Sequence, residues 1–184
     1  MGLKQHMVNH VLCLLPETRC YSLKVRLFRF AGVEVARGAR LTSSIRVIGA
    51  MSLAIGEDSF IGHHVLLAGG PSRIRIGRYV DIAPRVCIVA GTHEIDMRGD
   101  HSAGEGKSGD ITIEDGVWIG ANATILSGVT IGRKSIIGAG SVVNRSIPAQ
   151  VIAVGNPCYP IKRWDEQARS WHDLRSTAPA PERR

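Results

Sequence analysis

Aromatic residues are scarce: Phe, Trp and Tyr together make up 5% of the 184 residues, three of each. A core built on stacked rings is excluded, and whatever core forms must be aliphatic. Long apolar runs are missing too. The longest near the start is Val11–Leu15, far below the ~20 residues of a membrane-spanning helix. It has neither the basic flank nor the cleavage site of a signal peptide, so none is expected. The four cysteines, Cys13, Cys20, Cys87 and Cys158, form no CxxC pair and no zinc spacing. That pattern fits a reducing, cytoplasmic setting in which each is a small buried hydrophobe or a plain surface thiol. Proline, at 8 residues, is too ordinary for collagen-like or low-complexity sequence.

Glycine is what the chain has in excess, with 21 residues, well above the ~7% of average usage. Combined with abundant Ile and Val, it implies many tight turns between short strands. The net charge of +7 is unevenly placed. Residues 1–40 hold seven Lys/Arg against two Asp/Glu, residues 41–161 hold ten of each, and residues 162–184 hold six against four. A neutral body with basic ends is not a nucleic-acid face, and no nucleic-acid partner is expected. Basic ends suit anionic ligands or lipid headgroups.

A strict six-residue period dominates the middle of the chain. It runs through Ile55, Ile61 and Leu67, then Ile76, Ile82 and Ile88. It resumes through Ile113, Ile119, Ile125, Ile131, Ile137 and Val143. Six of these twelve aliphatic residues are followed directly by glycine, as in Gly62, Gly120 and Gly138. Four residues after most of them comes Val or a small residue, such as Val80, Ala123, Ser135 or Ser141. Neither the 3.6 period of a helix nor the period of two of a strand gives a six. A triangular coil does: each six-residue unit is one short strand and one turn, and three units make a coil. Stacked coils bury a continuous aliphatic column that no single unit could bury alone.

The repeat is interrupted twice. The step from Leu67 to Ile76 is long by three, placing a bulge near Gly69-Gly70-Pro71. Between Ile88 and Ile113 the period disappears, and residues 94–110 read as an exposed loop leaving the coil. His93 stands at the base of that loop, where a strand ends at a coil corner. Imidazole suits proton removal near neutral pH.

The run from Ile113 to Pro157 contains VWIGANATILSGVTIG, SIIGAGSVV and SIPAQVIAVGNP. It resembles the hexapeptide-repeat acyltransferases, and more closely the galactoside and maltose type of sugar O-acetyltransferase. The stretch PETRC followed by KVRLFRFAGVEVARGARL is similar to the colanic acid biosynthesis acetyltransferases. The resemblance covers roughly residues 10 to 163 and implies a left-handed parallel β-helix. It further implies an acetyl-CoA-dependent enzyme acting on a sugar hydroxyl in cell-surface polysaccharide synthesis, assembled as a homotrimer with sites between subunits. No metal is implied.

The resemblance also assigns roles. His93, in a Gly-Thr-His context, matches the general base, and the Ala121 N–H, after Trp118-Ile119-Gly120, matches the oxyanion donor. Trp118 is expected to line the coenzyme A cleft, with Gly120 and Ala121 allowing close approach. Gly138, Ala139 and Pro157 map to the adenine end. Arg145 and Lys162 match phosphate-binding residues, and Arg163 is a helper. After Gly155-Asn156-Pro157 the family continues Ala-Lys or Cys-Arg, whereas this chain has Cys158-Tyr159. That departure shifts more of the 3′-phosphate contact onto Lys162 and Arg163. On the acceptor side, His63 and His64 lie where the galactoside type places a polar Asn, and Asp96 and Arg98 in the loop offer groups for sugar hydroxyls.

Three other readings stand beside this one. An N-acetyltransferase of an amino sugar would use the same base and cleft. A γ-type carbonic anhydrase would need three convergent imidazoles from among His63, His64, His93 and His101. A non-catalytic scaffold would bind no coenzyme A. The domain division expected is an N-terminal helical capping segment over 1–40 and the coil over 41–163. A short C-terminal helix followed by a disordered tail is expected over 164–184. Within the first segment, two amphipathic helices broken at Pro16 either cap the coil or touch a membrane at its inner face.

Overall fold

The computed structural model describes residues 3–174. Two ten-residue helices come first, α1 (Leu3–Leu12) and α2 (Tyr21–Phe30). Five coils of three short strands follow. They are β1 (Glu34–Val35), β2 (Arg40–Leu41) and β3 (Arg46–Gly49); β4 (Ser52–Ile55), β5 (Phe60–Ile61) and β6 (Leu66–Gly69); and β7 (Arg73–Ile76), β8 (Asp81–Ile82) and β9 (Cys87–Val89). The hairpin β10 (Gly91–Ile95) and β11 (Ala103–Ser108) then leaves the coil. The stack resumes with β12 (Ile111–Ile113), β13 (Trp118–Ile119) and β14 (Thr124–Ile125), then β15 (Thr130–Ile131), β16 (Ile136–Ile137) and β17 (Val142–Val143). It closes with β18 (Val151–Val154), β19 (Tyr159–Asp165) and β20 (Ser170–Asp173).

Three parallel sheets wall the solenoid. The first is β1-β4-β7-β12-β15, the second begins β2-β5-β8-β13-β16-β18, and the third is β3-β6-β9-β14-β17. Register places like on like: Ile55 beside Ile76, Ile76 beside Ile113, and Ile113 beside Ile131. All twelve periodic aliphatics are at most 3% exposed. Each contributes roughly 1.5–3 kcal/mol of burial, and the column they form is the core. The Val and small residues between them, such as Val80, Ala123 and Ser141, are buried as well. Buried hydroxyls are satisfied by the next coil: Ser135 Oγ donates to the Pro148 carbonyl at 2.7 Å.

The corners explain the glycines. Three residues after a buried aliphatic the backbone turns left-handed, at Asp58, His64, Tyr79, Arg85, Asn122 and Lys134. Mostly non-glycine residues thus carry that dihedral. The glycines directly after the aliphatics serve a different need. A Cβ on Gly120 would lie 2.6 Å from the Ala139 backbone nitrogen of the coil above, so the close stacking itself excludes a side chain.

The helices cap the first coil. Val8, Leu12 and Phe28 join the core. Asn9 stands in for a missing strand at the β3 edge: its Nδ2 donates to the Val47 carbonyl at 2.9 Å and its Oδ1 accepts the Val47 N–H. Arg29 does the same at β1, donating to the Val35 carbonyl. Unpaired edge groups are thereby covered. Lys24 is buried, with its ammonium donating to the Pro16 and Glu17 carbonyls.

Three details differ from the sequence reading. Coil residues begin at Glu34 rather than 41, because Val35, Leu41 and Val47 already keep the six-residue spacing and are buried. Residues 94–110 are not an irregular loop throughout; 94–95 and 103–108 lie in the antiparallel pair β10–β11, with Gly91 opposite Ser108 and the tip between them. The C-terminal segment is a hairpin, not a helix. β19 adds antiparallel to β18, and Trp164 meets Trp171 across it at 5.4 Å between ring centroids. Asp165 Oδ1 accepts the Gln167 and Ala168 N–H groups and starts the turn. The open edge of the second sheet outweighs the helix propensity of Glu166-Gln167-Ala168-Arg169. The tail expected to be disordered, 176–184, lies outside the described residues.

Candidate functional site

His93 lies on β10, exposed, opposite Gly106 on β11. Its Nδ1 is 2.9 Å from the Gly104 carbonyl oxygen. A carbonyl only accepts, so Nδ1 carries the proton and Nε2 presents its lone pair. This is the tautomer a general base requires. The ring borders an open pocket of about 310 Å³ lined also by Gly70, Pro71, Thr92, Lys107 and Ser108. Lys107 is paired with Glu94 across the hairpin at 2.9 Å. The lining residues from β11 were not legible in the sequence, because only the hairpin register brings Lys107 and Ser108 back beside Thr92 and His93.

A second group of residues follows the corner between the second and third sheets. Here the corners stack in order: the Arg85 N–H donates to the His63 carbonyl, Asn122 to Pro84, and Gly140 to Ala121. In each turn the residue after the upward-bonded Gly or Ala gives no backbone hydrogen bond to the stack. Proline, with no N–H, occupies that position at Pro84. At Ala121 and Ala139 the same position has an N–H left over for a ligand, one coil spacing of ~4.8 Å apart. Trp118 lies exposed on β13 immediately before this corner. The column continues past Gly138 toward Gly155 and Pro157, the latter in a cis peptide with Asn156.

The basic residues gather at the far end of the stack. The Arg145 guanidinium sits over the Tyr159 ring at 4.9 Å. The residue that breaks the expected pattern thus positions the arginine. Lys162 is half-buried on β19 opposite Ile152, and Arg163 is exposed opposite Val151.

Within one chain, none of the residues expected on the acceptor side lines the pocket beside His93. His63 and His64 lie at the Ala121 corner, near the cap. His63 Nδ1 is 3.3 Å from Glu17 Oε2, and His64 holds the left-handed corner with its N–H on Ser44 Oγ. Glu17 also accepts from Ser43 N–H, Ser44 N–H and Ser44 Oγ, tying the link between the helices to the first coil. Asp96 and Arg98 lie at the hairpin tip. Asp96 Oδ1 accepts the Arg98 and Gly99 N–H groups, which hold its carboxyl below the usual aspartate value. Its first job is the turn. Among the described residues no three His, Cys, Asp or Glu side chains converge on a common point.

Residues 110–145 match the family model described as bacterial transferase hexapeptide (six repeats). The chain is 41% identical over 131 residues to galactoside O-acetyltransferase of Lactococcus lactis subsp. lactis, a match covering 70% of this chain and 53% of that one. It spans about half the length of the curated relatives it matches. Among solved structures, a maltose O-acetyltransferase from Clostridium difficile 630 aligns with a TM-score of 0.57 and 26% identity, over 88% of this chain and 85% of that one. A hexapeptide-repeat acetyltransferase from Vibrio cholerae, solved with acetyl coenzyme A, shares the fold with a TM-score of 0.58 at 22% identity, over 89% and 86% of the two chains.

Proposed function

This chain carries the hexapeptide repeat of the bacterial transferases, and from that premise we propose that it transfers an acetyl group from acetyl-CoA to a saccharide hydroxyl, in the assembly of a cell-surface polysaccharide. The observation that carries the reading is His93, with Nδ1 fixed on the Gly104 carbonyl and Nε2 free beside a pocket. The acceptor oxygen attacks the thioester carbonyl carbon while its proton passes to Nε2. The tetrahedral oxyanion accepts the Ala121 N–H. As it collapses, the carbon–sulfur bond breaks and the imidazolium returns the proton to the departing thiolate. Positioned donors and bases of this kind act without reorganisation at the moment of reaction.

The reading includes a homotrimer. Within one chain, His93 and the Ala121 column stand at opposite ends of the third sheet. The seven residues from Arg85 to Gly91, six steps spanning about 20 Å, lie between them. A neighbouring copy that places its Ala121 corner against this chain's His93 supplies what one chain separates, and closed symmetry limits the assembly. Light scattering showing an active monomer would overturn that part.

The decisive assay mixes the full chain with radiolabelled acetyl-CoA and a panel of sugars, amino sugars and nucleotide-sugars. Ester formation on a hydroxyl is the expected result. Exclusive amide formation would make it an N-acetyltransferase, and no transfer with no coenzyme A binding would leave a scaffold.

A further inference from the structure

The two capping helices have more apolar surface than the cap uses. α1 buries Gln5, Val8, Asn9 and Leu12 on one side. Its opposite side carries Leu3, Met7 and Val11, at the i, i+4, i+8 spacing of one stripe. Leu14 continues the line just past the helix. These residues are 75%, 51%, 41% and 84% exposed. On α2 the outward side adds Leu23 and Phe30. The two faces adjoin, since Lys4 Nζ of α1 lies 5.1 Å from the Phe30 ring centroid. Single exposed apolar residues need no explanation, but a continuous stripe does.

Charge identifies what covers it. Between residues 3 and 31 the only acidic residue is Glu17. Its carboxylate is spent on Ser43, Ser44 and His63. Beside α2 a groove of about 430 Å³ is lined by Arg26, Arg29, Arg37, Arg40 and Tyr21, with no carboxylate. Arg29 is tied to Val35 and the Arg40 guanidinium lies over the Phe60 ring at 5.4 Å, which leaves Arg26 and Arg37 wholly for an external anion with Arg40 beside them. On the α2 helical wheel Arg26 falls between Phe30 and the groove side, so the apolar stripe and the cationic groove meet there. The segment 1–40 carries +5 while residues 41–161 are neutral.

We propose that the helical cap is a docking face for an anionic lipid bilayer. The Leu3-Met7-Val11-Leu14 stripe with Phe30 enters the headgroup layer, and Arg26, Arg37 and Arg40 meet lipid phosphates. Apolar insertion beside basic side chains is the arrangement by which surface helices hold anionic membranes. It is independent of the catalytic reading, because His93 and its pocket lie on the hairpin.

The test is co-sedimentation of the full chain with vesicles containing about one third phosphatidylglycerol in phosphatidylcholine, and with pure phosphatidylcholine vesicles. Partition into the anionic vesicles should exceed that into neutral ones by about tenfold or more, and fall as salt rises. Met7→Glu/Val11→Glu should lower it by roughly tenfold, with circular dichroism and oligomeric mass unchanged. Leu3→Glu/Leu14→Glu gives the same readout should the first pair impair folding. Arg26→Glu/Arg37→Glu should abolish the preference for anionic over neutral vesicles. Equal partition into both vesicle types, or none into either, overturns the proposal. So does loss of oligomeric mass in the Met7/Val11 variant with no vesicle binding by the unaltered chain, which would assign the stripe to a second copy.

Discussion

Between Ile82 and Ile131 the coil buries its sixth-residue aliphatics completely, while the hairpin inserted into that same stretch leaves Ile95 and Met97 82% exposed. Coil strands of two to four residues are held on both sides by neighbours in register. The hairpin is held by its own antiparallel ladder, by the Lys107–Glu94 pair and by Asp96 at the tip. One region spends its residues on packing and leaves few side chains free for chemistry. The other forgoes packing and holds an imidazole with one nitrogen committed and the other open. On the proposed function, stability and reactivity fall to different stretches of chain, and substitutions should separate them.

The largest effect is expected at the hairpin and should be invisible to stability. His93→Ala should lower turnover by about 10²–10⁴-fold while the thermal midpoint and acetyl-CoA affinity hold. Steady-state kinetics beside calorimetry reads both. Near-unaltered turnover on a verified acceptor would remove His93 from the mechanism. The coil should behave oppositely. Ile82→Ala, in a fully buried column, should cost about 2–5 kcal/mol, whereas Ile95→Ser on the hairpin should stay within about 0.5 kcal/mol. Chemical denaturation of the two variants checks this, and equal losses would mean that the hairpin is packed against something in solution.

At the far end of the coil, Arg145→Ala and Lys162→Ala should each raise the KM for acetyl-CoA about tenfold, as expected for one lost charge-assisted contact. Unchanged KM in both would move the phosphate site elsewhere. The smallest effect concerns pH. The Arg98 and Gly99 N–H groups hold the Asp96 carboxyl below the ordinary aspartate value of 3.8. Its contribution to the tip is therefore complete above about pH 4 and is lost as pH falls through the depressed value. Protection of the Arg98 and Gly99 amides, read as exchange relative to the intrinsic rate at each pH, should fall in that window, and Asp96→Ala should lack that protection throughout.

Much of this protein was legible from the spacing of Ile, Leu and Val. Twelve positions predicted the column, and all twelve are buried. The first coil was equally encoded in Val35, Leu41 and Val47, but the helical residues just before it masked its start. The C-terminal residues 164–173 misled because Glu166, Gln167 and Ala168 favour helices locally, while an unfilled sheet edge and two facing tryptophans favour a hairpin. At the site, His93 stood out by its place at a break in the repeat. Lys107 and Ser108 did not, since hairpin register is not written in a period.

The sequence by itself determined the repeat, the coil, the break and the residue types that gather along the column, because burying one aliphatic per six residues leaves no other regular solution. The tertiary structure decided which of those residues meet. It placed Gly104 under His93 and Tyr159 under Arg145, and it drew His63 to Glu17 rather than to the pocket. Such pairings depend on which corner a residue occupies and on how a hairpin folds back, and both follow from the stacking of distant strands rather than from any local pattern.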